Sequence, residues 1–287
     1  SLKTLASLGA LALLCFHPAG TRLLARWEAR GRGRWPRQVA WVAVGAGAVT
    51  AAVELPFAYY LGHAHERAYG LTRQSAWAWL GDHLLGEAVG LVISVLLWLA
   101  LYALIRRSPR RWWAGASLVM AGYSLLPAVL YPVLLLPLFH PVRPVTDPQV
   151  LAMIQGLADR AGVRVEKVAE LRVGEESSRI NAMVAGIGPT KQVLLYDTLL
   201  RELSPAEVEA VLAHELSHAV HGDLFRGWAL QAVLNAAAMG LAAWMLGAMR
   251  DVPPLGLKAP HAPRGLALLM LFLSLCDIAG TPAQAAL

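Results

Sequence analysis

The sequence predicts a mainly α membrane protein, a multi-helix transmembrane bundle with one α+β domain inserted into it. Three observations carry this. Of the 287 residues, 57% are hydrophobic and 15% charged, where a soluble domain carries about 25% charged. Four apolar runs match the roughly 20 helical residues that a bilayer core requires. The charge is also segregated: His140 to Arg226 holds 12 acids and 9 bases, and the remainder 7 acids and 16 bases.

This composition excludes a disordered chain, a collagen and a disulfide-rich scaffold. It does not fit an ordinary soluble enzyme. The basic excess lies beside apolar runs, which points to a lipid bilayer as partner and not to nucleic acid.

Leu5–Ala19 is a short apolar run that could be a signal peptide. The arginine-rich stretch after it favours a retained membrane helix whose start has been trimmed. Val39–Leu61, Leu84–Ile105, Trp112–Phe139 and Gly227–Met249 are the four long runs, and Gly265–Ala279 is a second short one. Six segments result. About four lie in 1–139, the polar domain occupies 140–226, and about two lie in 227–287. Glu54 and Glu87 are costly facing lipid, so they should face the bundle or a water-filled cavity; a cap or interface position would equally suit Glu87. Gly86 and Gly90 form a GxxxG that predicts close helix packing. Cys15 and Cys276 sit in apolar runs without a CxxC, so no disulfide, disulfide-linked partner or cysteine metal site is expected.

In the polar domain, Thr146, Pro148 and Gln149 predict a capped helix start, and Gly162 its end. Val168–Val173, Asn181–Ala185 and Val193–Tyr196 read as short strands, punctuated by Gly174 and the Gly186–Pro189 stretch. Ser204-Pro205-Ala206-Glu207 is a helix-start signature, with Ser as N-cap, Pro at N1 and Glu at N3. The helix should run from Pro205 to at least His221.

That helix contains His214-Glu215-Leu216-Ser217-His218. Histidines at i and i+4 share one helical face, so both imidazoles can reach one zinc ion. Glu215 comes next to the same face, placed to take a proton from water attacking a carbonyl and to pass it to the leaving amine. One zinc per chain is therefore expected, with His214 and His218 as ligands and Glu215 catalytic. His221 lies about 10 Å along the axis from His214, too far to share a tetrahedral site easily. It is expected behind the ligands or in solvent. A metzincin-type third histidine is excluded, because His221 and Leu224 occupy the positions where that motif needs Gly and His. No Glu follows Glu215, leaving Asp223, Asp251, His261 and Asp277 as possible ligands.

With these residues in place, the chain resembles the type I CAAX prenyl endopeptidase family of integral-membrane zinc metallopeptidases, with HtpX a more distant relative. The resemblance covers most of the chain. Leu55-Pro56-Phe57, Glu66-Arg67-Ala68-Tyr69-Gly70-Leu71 and Trp79-Leu80-Gly81-Asp82 are similar to the family's membrane-proximal segment. Asn181-Ala182 with Gly186 resembles its substrate-edge strand, and Leu195-Tyr196-Asp197-Thr198-Leu199-Leu200 its strand before the zinc helix. Ser217 stands where the family has Gly.

The resemblance implies a gluzincin-like zinc metallopeptidase domain in which Asn181 and Ala182 line the cleft that receives a substrate strand by β-augmentation. A plain structural strand is the competing reading. It also implies a third ligand from a later S-R-x-x-E-x-x-A-D motif. Thr281-Pro282-Ala283-Gln284-Ala285-Ala286-Leu287 resembles the approach to that motif, so the expected ligand is a glutamate beyond residue 287. Asp223 is expected either to orient a ligand histidine from behind or to cap a helix. The expected function is a zinc-dependent metalloendopeptidase cutting membrane-associated proteins or peptides. The alternatives are an HtpX-like quality-control protease and a non-catalytic membrane protein that keeps the fold. The Ala-, Gly- and Arg-rich composition suggests a bacterial inner membrane.

Loop 20–38 holds six Arg, loop 106–111 four Arg, and loop 250–264 two Arg and one Lys. With six spans these stretches share one side, which the positive-inside rule makes cytoplasmic. The zinc domain would then face away from the cytoplasm. The resemblance implies the opposite, since eukaryotic members present this domain to the cytosol. The charge count predicts that a reporter fused at 106–111 is active in the cytoplasm. A periplasm-active reporter there reverses the assignment.

Overall fold

The computed structural model describes residues 2–130, 134, 136, 141–174 and 177–285. The chain divides into two compact units. One comprises Ser1–Gly62, Leu80–Ala121 and Gln231–Ala286; the other joins His63–Trp79 to Gly122–Leu230.

In the first unit, α1 (Leu2–Phe16) and α2 (Pro18–Arg30) meet at a 78° bend. The sequence dictates the bend. Pro18 lacks the N–H that would continue α1 and has φ suited to a first helical turn. His17 caps α2, its Nδ1 accepting from the Ala19 N–H at 3.2 Å. Gly20 lets the two backbones touch, because a Cβ there would lie 2.2 Å from the Leu13 carbonyl oxygen. Read as a loop from sequence, 20–38 is in fact α2 followed by the start of α3 (Trp35–Tyr59). The low apolar content of this stretch hid a helix that buries Leu24 and Trp27.

α3 carries Pro56 and continues through a π turn, Tyr60–Ala64, into α4 (His65–Ala68). The remaining long helices are α5 (Ala76–Arg107), α6 (Trp112–Leu130), α10 (Asp223–Ala248) and α11 (Gly265–Ala285). Four helical stretches are long and apolar enough to cross a membrane: Trp35–Ala68, α5, α6 and α10. The bent α1–α2 pair would make a fifth, and α11 is a shorter apolar helix over Gly265–Thr281. Most of the predicted run beyond Leu130 lies outside the described residues.

Leu11, Leu14 and Cys15 of α1 pack with Leu24 and Trp27 of α2, Val39, Val42 and Ala46 of α3, Ile105 of α5, and Leu266 and Leu269 of α11. The spacing of these residues is helical, so each helix commits one stripe to the core. Glu54 turns toward α1, accepting from Ser7 Oγ at 2.5 Å and pairing with Lys3 Nζ at 2.8 Å. Glu87 is exposed one turn from His83, with Nε2 and Oε1 4.0 Å apart. The GxxxG expectation is corrected: a Cβ on Gly86 or Gly90 would meet nothing within 4 Å among the described residues. Among the described residues no other helix packs onto those two glycines. Cys15 and Cys276 are free thiols.

The second unit is built on a four-stranded sheet in the order β1-β2-β4-β3. β1 (Val142–Pro144) runs antiparallel to β2 (Lys167–Leu171), β2 parallel to β4 (Gln192–Tyr196), and β4 antiparallel to β3 (Ala182–Ala185). β1 is absent from the sequence reading because its prolines read as loop, although an edge strand tolerates Pro. α7 (Pro148–Ala161) ends at the left-handed Gly162, as predicted. Its cap is Asp147 and not Thr146: Asp147 directly precedes Pro148, and its Oδ1 accepts from the Gln149 N–H at 2.8 Å.

α8 (Asp197–Glu202) and α9 (Pro205–His221) follow β4. One sheet face carries Val193 and Leu195, which pack with Ile154 of α7 and with Val208, Leu212 and Leu216 of α9. The other face carries Ala169, Leu171 and Leu194. At the start of α9 the Glu207 carboxylate accepts from both the N–H and the hydroxyl of Ser204, at 2.8 and 2.7 Å. These bonds hold its pKa below the ordinary glutamate range.

Two outcomes follow. Leu212→Ala should destabilise this unit by about 2–5 kcal/mol through the cavity it leaves, read as a lowered melting temperature in detergent. Because the folded pKa of Glu207 is depressed, its contribution is fully present above the unfolded pKa, about 4.3, and is lost as pH falls through the lower folded value. Glu207→Gln should remove that part of the acid dependence while leaving melting near neutral pH still cooperative.

Candidate functional site

α9 buries Val208, Leu212 and Leu216 at four-residue intervals. Its opposite side is therefore fixed as the open one, and His214 and His218 lie there, both exposed. Their rings sit 4.8 Å apart between centroids and nearly perpendicular, at 80°. The two Nε2 atoms approach to 3.4 Å. Two nitrogens each about 2.0–2.1 Å from one tetrahedral zinc are separated by roughly 3.3–3.4 Å. The pair thus fits a shared ion without a change of rotamer.

The tautomer fits as well. Asp223, the first residue of α10, places Oδ2 2.7 Å from His218 Nδ1. A carboxylate only accepts, so Nδ1–H donates and the Nε2 lone pair is left free for a metal. Of the two readings of Asp223 from sequence, the side chain is found on the histidine. Gly222 makes this possible by ending α9 in a left-handed turn, φ 67°, so that the next residue folds back toward the imidazole. Among the described residues, no group of three His, Cys, Asp or Glu is placed to hold a metal.

Glu215 is half-buried between the histidines in sequence and, with His218, lines a cleft of about 190 Å³. The rest of the wall is Val184 and the Gly186–Gly188 turn, Lys191, Ala219, Gly222, Leu224 and Phe225. The cleft is lined mostly by apolar groups, with Glu215, His218 and Lys191 as its charged or polar side chains, and carries one end of a strand as a wall. Gly186 is required in that wall: its φ is 92°, and a Cβ would fall 2.1 Å from the Thr190 carbonyl oxygen. His221 lies elsewhere. Its Nδ1 donates to the Ser217 carbonyl at 2.7 Å, and it borders a second cleft with Leu157, Arg160 and Val220.

Asn181 and Ala182 lie at the start of β3, the edge strand next to α9. Asn181 is exposed, and its Oδ1 accepts from the Ala182 N–H at 3.0 Å. Ala182 is 2% exposed, with its side chain in the core. The cleft wall is formed further along, at Val184 and the Gly186–Gly188 turn. What sequence reasoning missed is how the strand is anchored. Tyr196 N–H donates to the Asn181 carbonyl at 3.0 Å, and Thr198 Oγ1 to the Arg179 carbonyl at 2.5 Å. Asp197 Oδ1 accepts from the N–H groups of Val173 and Gly174, both at 2.9 Å. Ser177 and Ser178 tie the approach to β3 onto Gly70 and Leu71, and Arg179 pairs with Glu66. The Y-D-T run was visible in the sequence, but its long-range partners have no local signal.

A helical membrane protein carrying an HExxH helix beside an edge strand is the class that fold and site define. Known proteins agree with it. Residues 144–278 match the model of Peptidase family M48, and residues 3–141 match the model described as CAAX prenyl protease N-terminal, five membrane helices. The two models each cover just under half of the chain, and along both stretches the chain is similar to membrane-embedded peptidases of family M48. It is 30% identical to the "Uncharacterized metalloprotease YhfN" of Bacillus subtilis over 63% of this chain and 42% of that protein. It is 27% identical to "CAAX prenyl protease 1" of Saccharomyces cerevisiae over 58% of this chain and 37% of that one. The crystal structure of S. mikatae Ste24p superposes with a TM-score of 0.74 at 22% identity, covering 87% of this chain and 60% of that chain. The chain thus spans about two fifths of the length of these curated relatives.

Proposed function

We propose that this chain carries the core of a zinc-dependent endopeptidase that cuts peptides presented at a membrane. The observation that supports this most directly is the 3.4 Å approach of the His214 and His218 Nε2 atoms beside Glu215. In this reading His214 and His218 hold the ion, and Asp223 keeps His218 in the tautomer with a free Nε2. Zinc, when bound, supplies Lewis acidity and makes water acidic near neutral pH. Glu215 takes the proton from the attacking water on its carboxylate and returns it to the nitrogen of the leaving amine.

The substrate backbone adds to the free side of β3, the strand order leaving that edge unpaired among the described residues. Its side chains then fall alternately toward and away from the cleft, since strand neighbours alternate in direction. The apolar wall of Leu224, Phe225, Ile187 and Val184 favours an apolar residue beside the scissile bond. A prenylated peptide, named for the yeast relative, is one substrate of that character. The reporter fusion at 106–111 is the experiment that decides the side of the membrane on which this occurs.

Glu215→Gln should lower peptide hydrolysis by at least about 10²–10⁴-fold while zinc content, measured by metal analysis, is retained. His214→Ala or His218→Ala should lose the metal itself. Asp223→Asn should weaken zinc retention about 10–100-fold against a chelator. Substantial turnover by metal-replete Glu215→Gln would remove Glu215 from the proton-transfer role.

A further inference from the structure

The three arginine-rich segments of the first unit are far apart in sequence but meet in space. Arg106, at the end of α5, lies over the ring of Trp35 at the start of α3, 5.4 Å from its centroid. Arg264, before α11, donates to Glu28 of α2 at 2.9 Å. Tyr102 of α5 donates to the Ala262 carbonyl at 3.3 Å, and partial burial, with the nearby Arg106 adding to it, holds the His261 pKa below the ordinary histidine range. Arg30 covers Trp41 at 5.5 Å. Residues 20–38, 106–111 and 250–264 therefore form one rim.

The rim holds thirteen basic residues against two acids, Glu28 and Asp251. Glu28 is already matched by Arg264, and Asp251 lies 3.7 Å from Arg250. All the arginines of 20–38 and 106–111 are exposed. On α2 the arrangement is directional. Leu24 and Trp27 are buried, while Arg22, Arg26 and Arg30 recur every four residues on the other side. If α1 crosses the bilayer, its 78° bend brings α2 close to the membrane plane. Trp41 and Trp113, exposed beside the charges, are residues that favour the headgroup level.

We propose that this rim is a docking surface for anionic phospholipid headgroups. Juxtamembrane arginine clusters attract acidic lipids strongly within a Debye length. Here ten guanidinium groups are exposed on or beside helices, and two of them, on Arg30 and Arg106, are stacked on tryptophan rings, not left on a flexible tail. Arginine also offers a planar fork of donors that matches phosphate. The partner is thus a phosphodiester with net negative charge, such as phosphatidylglycerol, in preference to zwitterionic phosphatidylcholine.

The test reads lipids retained by the purified full chain, by native mass spectrometry after exposure to mixed phosphatidylglycerol and phosphatidylcholine. Phosphatidylglycerol should be retained in preference, and the preference should shrink between 0.1 and 1 M salt as the Debye length falls from about 10 to 3 Å. Arg22→Gln, Arg26→Gln and Arg37→Gln together leave the stacked and paired residues Arg30, Arg106 and Arg264 intact. They should weaken retention roughly fivefold per arginine, on the order of a hundredfold for the three. The same positions changed to Lys should keep the preference. Equal retention of the two lipids by the unmodified chain overturns the proposal, as does an undiminished preference in a folded triple-Gln variant. Tight binding of polyglutamate without lipid preference would give the rim to an acidic protein partner and overturn it too. If the triple-Gln variant does not fold, lipid preference and its salt dependence in the unmodified chain decide.

Discussion

Two imidazole nitrogens can share an ion only if the helix between them is regular, since a single residue of slippage rotates one ring by about 100°. The structure around α9 is arranged to keep that turn fixed. Glu207 ties down its first backbone turn. Val208, Leu212 and Leu216 lock its inner face against sheet and α7. Gly222 ends it at the point from which Asp223 can reach His218. The inner face sets the rotation of the helix, and the rotation sets which residues look out. Burial of three aliphatic side chains is thus what orients the polar ones opposite them.

The same logic holds for the strand beside it. β3 is only four residues long and makes backbone pairs on one side, with β4. Such a strand would be loosely placed by pairing alone. Its approach is instead held by Asp197, Thr198, Ser177 and Ser178. These polar groups bond mostly to main chain, so they fix backbone position while leaving side-chain identities in the strand free to vary. Strand and helix belong to one compact unit, within which Glu215, His218, Val184 and the Gly186–Gly188 turn face one cleft.

Much of this was legible in the sequence, for identifiable reasons. α9 was readable because its cap, its four-residue apolar spacing and its metal motif agree with one another. The long apolar helices were readable because few other structures need runs of more than 20 residues with at most one charge. Legibility failed where geometry depends on a distant partner. α2 was hidden because only Leu24 and Trp27 of its apolar side are buried, and its arginines read as a loop. β1 was hidden by Pro141 and Pro144. Gly86 and Gly90 have the spacing of a packing motif, but no neighbour meets them among the described residues; spacing prescribes a face, not its occupant. The contact of 66–72 with 177–179 pairs residues more than a hundred positions apart, and no local pattern announces it.

An unpaired strand edge is a hazard as well as an opportunity, because it can template pairing with another copy of the same chain. Both edges of this sheet are poor templates. β1 has three residues, closes on Pro144 and follows Pro141, neither of which has an N–H to offer. β3 has four residues between Asn181, whose side chain bonds its own following N–H, and the left-handed Gly186. Neither edge is long enough to hold a second sheet in register against thermal fraying. The brevity of these strands therefore protects against aggregation: the molecule can leave a main-chain edge open in its folded state and still resist stacking into fibres.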